Sequence, residues 1–268
     1  MLSFVYSAAL SGLRGRGFQM VFLLGVLLVG WAYLASMFSP RQPQTVALDI
    51  GLSGLRFTLV LLALFWVQEL VSREVEKKTV ILTLAYPVSR ARYILGRFCG
   101  VAMLLLVATI ILSLLLLLVV VWAGQGYEAA RKVTLGLPYW VTIVGIYFDA
   151  LVVMAFALCL ASFASVLLLP FALGMSFAIL GRSLGAVLDF LFTRKGEGDQ
   201  ALVEQFAPLI KTIRWILPDL SRLDWRDWTL YGVVPAAGDI GLSVLMAGGY
   251  LAVLLALAVL IFQRREFA

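Results

Sequence analysis

The chain has 268 residues, of which 63% are hydrophobic and 13% are charged, and its net charge is +6. Soluble domains average about 45–50% apolar and about 25% charged residues, so this composition excludes a soluble globular protein. The basic residues lie mainly at the ends of apolar stretches, which argues against a nucleic-acid-binding face and is typical of residues that fix membrane topology. Histidine is absent, which removes the commonest general base and metal ligand, and no metal site is expected.

Segments that are long and apolar enough to cross a membrane occur six times along the chain. A spanning helix takes about 17–25 mostly apolar residues, and the segments of this kind are residues 18–38, 52–68, 95–122, 139–163, 166–190 and 239–262. The sequence therefore predicts an all-α integral membrane protein with six transmembrane helices. Residues 1–268 are expected to form a single transmembrane domain.

The basic residues are distributed unequally between the two sides of these spans. The two ends of the chain and the connection between the second and third spans are rich in them, whereas the short loops on the opposite side hold chiefly Arg41, Arg131 and Lys132, and the long stretch 191–238 has six basic residues balanced by six acidic ones. Cytoplasmic loops of membrane proteins carry the excess of lysine and arginine. We therefore expect a multi-pass protein with both termini in the cytoplasm. The lipid membrane is an expected partner and nucleic acid is not.

The connection between the second and third spans, at about residues 69–92, combines a charged half with a short apolar half. The apolar half, residues 80–86, ends at Pro87, and Ser89 is placed to cap the helix that continues into the third span. This half is too short to cross the bilayer and too apolar to remain in water. We expect it at the cytoplasmic interface with one side offered to a partner protein. A loop that only fixed topology would explain the basic residues but not the acidic residues between them.

Three ionisable residues interrupt the later spans or their edges: Asp149, Arg182 and Asp189. An unpaired charge costs roughly 2.5–3.5 kcal/mol on membrane insertion, so pairing is expected. Asp149 in the fourth span and Arg182 in the fifth lie at similar depths, roughly 12–15 Å from the outer end of each helix. We therefore predict an Asp149–Arg182 ion pair, an intramembrane polar pair that serves as a structural tie or as part of a substrate pathway.

The fifth span also contains Pro170, Gly174, Gly181 and Gly185. Gly181 and Gly185 have the small-xxx-small spacing that lets another helix approach closely. Proline and glycine are equally typical of two half-helices in a re-entrant arrangement, which occurs where protein or water satisfies the freed backbone groups. The sequence leaves both interpretations open.

The longest polar stretch, at about residues 191–238, is expected on the outer side. Within it, apolar residues recur at helical spacing, namely Leu202, Phe206, Leu209, Ile213 and Ile216. This pattern predicts an amphipathic helix before the sixth span, lying along the membrane surface or capping the bundle. Trp225, Trp228 and Tyr231 follow, and such residues are typical of the aromatic belt at a membrane interface.

Two motifs carry a resemblance to a known family. After the second span the chain has Arg73, Glu74, Glu76, Thr79, Leu82, Pro87, Val88, Ser89, Arg90, Gly96 and Arg97, and before the last span it has residues 217–221 with Asp224, Trp225, Tyr231 and Gly232. The pattern resembles that of the type 2 ABC transporter permeases, including permeases of the copper-enzyme-maturation and sodium-export kinds. The chain departs from it at Lys78, where these proteins usually have glycine.

The resemblance implies a coupling helix at about residues 79–86 that inserts into a groove of a separate ATPase. The residues that it assigns to ATPase coupling are Glu69, Arg73, Glu74, Glu76, Thr79, Leu82, Tyr86, Pro87, Val88, Ser89 and Arg90. It further implies the permease subunit of an exporter that works in the bacterial cytoplasmic (inner) membrane, as a homodimer with two ABC ATPase subunits. An extracytoplasmic protein is a further candidate partner, because a permease can also transmit mechanical work.

The chain contains no G-x-x-x-x-G-K-[ST] loop to cradle phosphates. No cofactor and no catalytic residue is therefore expected in it, and ATP and magnesium are expected on the partner ATPase. The alternative function is an ion-gradient-driven secondary transporter, although such folds commonly show repeated halves and polar midplane sites, neither of which is clear here. An intramembrane enzyme would require a nucleophile paired with a base, and no such pair can be named.

Overall fold

The computed structural model describes residues 16–39, 41–72, 89–124, 133–164, 166–193 and 218–264, and these residues form helices and short connections. The α-helices are α1 (Arg16–Met37), α2 (Pro43–Val67), α3 (Arg90–Ala123), α4 (Leu137–Phe163), α5 (Leu169–Thr193), α6 (Arg226–Tyr231) and α7 (Ala237–Arg264). A π-helical turn, Gln68–Ser72, extends α2, and a 3-10 turn, Leu220–Leu223, precedes α6. The predicted all-α class is confirmed for this part of the chain.

Among the described residues, five helices are long and apolar enough to cross a membrane: α1, α2 with its π-helical turn, α3, α4 and α7. The apolar part described in α5 is shorter and covers Leu169–Gly185. The chain is therefore a multi-pass membrane protein. We call the face that holds the start of α3 and the end of α7 the inner face, and the opposite face the outer face.

The second helix begins earlier than the sequence predicts, at Pro43 instead of residue 52. Proline suits the first turn of a helix because that turn requires no backbone N–H partner. The predicted start at residue 52 is wrong because it rests on apolar residues alone, whereas the helix also includes the polar residues before them. One of them, Asp49, lies on the outer part of the helix, where its carboxylate pairs with Arg226 of α6.

The centre of the bundle is formed by α2 and α4. In the most apolar window of each helix, 78% of α4 and 67% of α2 is buried, against 28% of α1 and 11% of α7. The Tyr139 hydroxyl of α4 donates a buried hydrogen bond of 2.6 Å to the Ser113 carbonyl of α3. Helices in a bilayer associate through close packing and interhelical hydrogen bonds of this kind. The helices α1 and α7 therefore lie at the periphery, with most of their surface open.

The fifth helix is continuous from Leu169 to Thr193, so the interpretation as two half-helices is wrong for this stretch. Gly181 and Gly185 allow close approach, but the neighbour that packs against them is the segment 218–221 before α6, and not another helix. A Cβ atom at Gly181 would lie 2.9 Å from Leu220 Cδ1, and one at Gly185 would collide with Ser221 Oγ. A side chain at either position would therefore require Leu220 or Ser221 to shift.

Candidate functional site

The structure brings together the two residues that the sequence pairs. Asp149 lies on α4 with 1% of its side chain exposed, and Arg182 lies on α5 with 26% exposed. Arg182 donates to Asp149 Oδ2 from Nη2 at 2.6 Å and from Nε at 3.1 Å. This is a charge-assisted, two-pronged contact, the kind that fixes geometry as well as charge.

A second arginine, Arg56 of α2, reaches the same carboxylate. Its Nε lies 3.6 Å from Asp149 Oδ2, a distance too long for a hydrogen bond but short enough for strong attraction. Its Nη1 donates to Asp224 Oδ2 at 2.5 Å. The sequence alone does not identify Arg56 as a buried charge. It lies near the start of the predicted second span, where a basic residue is typical of the membrane boundary.

Asp224 is in turn held by Arg226, which begins α6. Arg226 Nε donates to the two carboxylate oxygens of Asp224 at 3.0 and 2.9 Å. Arg226 Nη1 donates to Asp49 Oδ1 at 3.0 Å and to Ser53 Oγ at 3.1 Å on α2. Arg226 thus connects the start of α6 to α2, the helix that also carries Arg56.

These contacts form one series of alternating charges, which we call the charge network: Arg182, Asp149, Arg56, Asp224, Arg226 and Asp49. Three arginines face three aspartates, so the network is neutral as a whole. Side-chain exposure rises from 1% at Asp149 to 50% at Asp49, so the network leads from the bundle interior to the outer surface. It connects α2, α4, α5 and the segment before α6.

Asp224 shows how the network keeps its charges. Burial acts to raise the pKa of the Asp224 carboxyl, but the hydrogen bonds and positive charges of Arg56 and then of Arg226 outweigh it and hold the pKa below its ordinary value. The carboxylate is therefore ionised at neutral pH. A buried charge of this kind is tolerated only because its partners are present.

Within the described ranges, Asp149 Oδ1 and Arg56 Nε are buried and have no hydrogen-bond partner. Arg182 is thus the residue that hydrogen-bonds Asp149, while Arg56 is held chiefly by Asp224. In the same ranges, no group of three or more cysteine, aspartate or glutamate side chains is arranged to hold a metal ion. The polar centre of the bundle consists of ion pairs.

Residues 218–231, which we call the outer clamp, fit against α4 through small and polar residues. A Cβ atom at Gly145 would collide with the Leu223 carbonyl oxygen, so the backbones touch at this point. Thr142 Oγ1 lies 3.0 Å from the Trp225 carbonyl oxygen and 2.9 Å from Thr229 Oγ1. Trp225 is buried against α4 with 7% exposed, so its predicted place in an interfacial aromatic belt is wrong.

The inner face contains a different kind of contact. Ser89 caps α3, where its hydroxyl accepts a hydrogen bond from the Arg92 backbone N–H at 3.3 Å. Arg90 Nη1 donates to the Phe262 carbonyl at 3.3 Å and to the Gln263 carbonyl at 2.8 Å, at the end of α7. The rings of Tyr93 and Phe262 stack with centroids 5.4 Å apart. We call Arg90, Tyr93, Phe262 and Gln263 the inner clamp.

The residues assigned to ATPase coupling are divided by the limits of the described chain. Glu69 belongs to the π-helical turn that ends α2, and Ser89 and Arg90 belong to the start of α3. The others lie outside the described residues: Arg73, Glu74, Glu76, Thr79, Leu82, Tyr86, Pro87 and Val88. So do the predicted coupling helix at 79–86, the predicted amphipathic helix between Leu202 and Ile216, and the side chain of Asp189.

Comparison with known proteins gives two matches. The chain matches the family described as "ABC-2 family transporter protein" over residues 11–267. It is also similar to a protein of Stutzerimonas stutzeri named "Probable ABC transporter permease protein NosY", with 30% identity over 135 residues. That alignment covers 48% of this chain and 46% of the relative, so the chain matches about half of the relative's length.

Proposed function

The chain belongs to the ABC-2 family of transporter proteins, and from this membership we propose that it is the membrane-spanning permease subunit of an ABC transporter. One observation carries the proposal: the family match over residues 11–267 takes in every described helix of the bundle. The relative named as a probable ABC transporter permease supports it. On this proposal the chain is the transmembrane subunit, and a separate ATPase binds ATP and magnesium.

We infer six membrane spans, namely the five long helices and α5. The described apolar part of α5 is shorter than that of the other five. Both termini and the 69–92 connection would lie in the cytoplasm of a bacterium, beneath its inner membrane. The charges support this orientation. The described inner face has Arg90, Arg92, Arg97 and Arg264 beside one acidic residue, Glu69, whereas the described outer face has Arg41, Arg222 and Arg226 beside five acidic residues, Asp49, Asp219, Asp224, Asp227 and Asp239. An excess of positive charge marks the cytoplasmic side.

Residues 69–92 are proposed as the ATPase-coupling segment, with a coupling helix at about 79–86. The described chain ends at Ser72, after α2, and resumes at Ser89, next to Arg90, which contacts the end of α7. Both junctions therefore lie on the inner face. Two permease copies with two ATPase subunits form the proposed assembly, and export is the proposed direction. An extracytoplasmic protein is the proposed further partner.

The charge network is proposed as a structural tie and not as a substrate pathway. Its six charges sum to zero, and each aspartate in it faces at least one arginine. A pathway for ions would favour a charge that a passing ion can engage. In this network the buried charges already engage each other across three helices and the outer clamp.

Co-purification tests the proposed function. The tagged chain is extracted from its native host in mild detergent, bound proteins are identified by mass spectrometry, and ATP hydrolysis is measured. The variants are Glu74→Lys and Pro87→Ala in the proposed coupling segment. The matched control is Asp227→Lys, an exposed charge reversal on the outer face. We expect an ABC ATPase to co-purify with the wild type and the control, and to be lost or uncoupled in the two variants.

If no ABC ATPase accompanies the wild-type chain under mild extraction, the permease proposal fails. The ion-gradient-driven transporter then takes its place, and substrate uptake under an imposed gradient becomes the measurement. An ATPase that binds both variants and the control equally, with equal ATP hydrolysis, would leave the permease proposal standing but place its docking site outside residues 69–92.

A further inference from the structure

The last helix, α7, is the least buried of the five long helices, yet its inner end is firmly held. Only 11% of its most apolar window is buried. At its inner end, by contrast, Phe262 is fully buried, and so is Tyr93 of α3, on which it stacks. Stacked aromatic pairs contribute beyond the area that they bury. The inner clamp is therefore the described attachment of this helix to α3, while along its length the helix packs against α4.

Arg90 completes that attachment through the backbone. The last carbonyl groups of a helix have no partner within the helix, and a cation beside them is favoured by the helix dipole. Arg90 donates to two of these groups, the Phe262 and Gln263 carbonyls. The Arg97 guanidinium lies over the other part of the clamp, 5.5 Å from the Tyr93 ring centroid. Charge and ring contacts thus join the first two turns of α3 to the last turn of α7.

The neighbouring arginine has a different environment. Arg92 lies on the same helical turn as Arg90 but is exposed. Both residues lie at the end of the segment 69–92 that we propose for ATPase coupling, and both carry one positive charge. They differ in that Arg90 contacts α7. The chain therefore provides a matched pair that separates the effect of charge at this end of α3 from the effect of contact with α7.

The other end of α7 lines a cavity of about 360 Å³ on the outer face. Asp239, Leu242 and Ser243 of α7 form one wall, and the outer clamp forms another through residues that include Asp224 and Trp225. Between Ser243 at this cavity and Phe262 of the inner clamp the helix is uninterrupted, and this separation of 19 residues corresponds to about 28 Å at 1.5 Å per residue. One face of this helix packs along α4 and its inner end is joined to α3, so a displacement of α3 at that end is carried along the helix toward the cavity.

We propose that Arg90 and Tyr93 are positioning residues that make α7 follow α3, so that an ATPase acting on the chain before Ser89 also moves the wall of the outer cavity. This proposal rests on the proposed function and deepens it. It assigns to Arg90 a role within the permease in place of direct contact with the ATPase. On this proposal, a movement of the coupling segment is transmitted to α7 as well as to α3.

The test uses the full chain with its co-purified ATPase in nanodiscs, in a background without Cys99 and Cys159. Spin labels are attached through Leu137→Cys on α4 and Leu245→Cys on α7, two exposed positions in the outer half. Their separation is measured by pulsed EPR without nucleotide and after vanadate trapping. The amount of bound ATPase and the ATP turnover per complex are measured on the same samples. The variants are Arg90→Gln, Arg90→Lys and the control Arg92→Gln.

We expect the label separation to change on trapping in the wild type and in Arg92→Gln. Arg90→Gln should retain the ATPase, lose that change, and lower the turnover several-fold, whereas Arg90→Lys should recover part of both. Phe262→Leu, which keeps apolar volume but removes the ring stack, should lose the separation change as well. It provides the readout if Arg90→Gln does not fold.

Three results would overturn the proposal while the proposed function stands. The first is loss of the ATPase itself from Arg90→Gln, which would make Arg90 a docking residue. The second is wild-type behaviour of both Arg90→Gln and Phe262→Leu. The third is a wild-type separation that does not change on trapping although turnover is coupled. A wild-type chain that binds no ATPase would instead refute the proposed function.

Discussion

The outer clamp and the inner clamp join neighbouring helices by different physical means. The outer clamp is tied to the bundle through the charge network, whose ion pairs are largely removed from water, with Asp149 1% exposed and Arg56 8% exposed. Removal of one member leaves an uncompensated charge in the bundle. The inner clamp relies on an aromatic stack and on hydrogen bonds to the free carbonyl groups of a helix end, which water at the interface can replace. Variants of the outer clamp should therefore affect stability, and variants of the inner clamp should affect transmission.

The largest effect is expected from Asp149→Asn. The substitution keeps the shape of the side chain but leaves Arg182 and Arg56 without their shared counter-charge. Breaking a buried ion pair costs roughly 3–5 kcal/mol, which corresponds to a fall of roughly 10 °C in the unfolding midpoint of a protein of this size. Thermal unfolding of the detergent-purified chain, followed by intrinsic fluorescence, measures the effect.

The double variant Asp149→Asn/Arg182→Gln is the control for this prediction, because it removes one charge of each sign and leaves Arg56 paired with Asp224. It should recover part of the lost stability. Reversal of both charges is a poorer test, since an arginine at position 149 would face Arg56 across the 3.6 Å contact. Equal stability of Asp149→Asn and the wild type would show that the network does not hold the bundle together.

Gly145→Ala should have the next largest effect on the outer clamp. The added methyl group would collide with the Leu223 carbonyl oxygen, a backbone atom that cannot rotate away. Overpacking of this kind typically costs about 1–3 kcal/mol. Gly241→Ala is the matched control, because it is also a helical glycine but has open space around its Cβ position. Thermal unfolding should separate the two variants, and equal midpoints would contradict the close packing of α4 with the outer clamp.

Phe262→Leu should have a small effect on stability and a larger one on coupling. Leucine remains apolar but leaves a small cavity at this buried position, which costs less than the roughly 3–5 kcal/mol of truncating a buried phenylalanine to alanine, while the stack on Tyr93 is lost. The unfolding midpoint should stay within a few degrees of the wild type, and ATP turnover per complex should fall. If the midpoint falls as far as that of Asp149→Asn, the inner clamp is a structural element of the same kind as the outer one.

The smallest effect is the pH dependence that Asp224 adds. Its pKa is held below the ordinary value by Arg56 and Arg226 in spite of burial, so its contribution to stability is complete above the unfolded pKa of about 3.9. That contribution is lost as the pH falls through the lower, folded pKa. The unfolding midpoint should therefore decrease more steeply between about pH 5 and pH 3 in the wild type than in Asp224→Asn. Parallel curves would contradict the assignment.

The sequence predicts well those features that depend on local pattern. Apolar length predicts the helices, and the position of Ser89 before an apolar run predicts the cap on α3. Equal depth in neighbouring spans, together with the cost of an unpaired charge, leads from the sequence to the contact between Asp149 and Arg182. Each of these inferences uses residues within one helix, or two residues at one depth.

The remaining features depend on contacts between distant parts of the chain, which no local pattern contains. Asp224 meets Arg56 across 168 positions of sequence, and Arg90 meets Phe262 across 172. Gly145 has the appearance of an ordinary helix-packing glycine until the outer clamp lies against it. Trp225 resembles an interfacial aromatic residue until the fold buries it. The signal that could have indicated the network is the presence of Arg56 within a predicted span, because an ionisable residue there requires a partner of opposite charge.

Joint measurement of stability and coupling in the reconstituted complex tests the central claim most directly. The unfolding midpoint and the ATP turnover per bound ATPase are determined for the wild type, Asp149→Asn and Phe262→Leu, with turnover measured well below every midpoint. The difference between the two clamps predicts that Asp149→Asn loses stability but keeps its turnover, and that Phe262→Leu keeps its stability but loses turnover. A parallel fall of both quantities in both variants would contradict it, as would a stable Asp149→Asn that no longer couples.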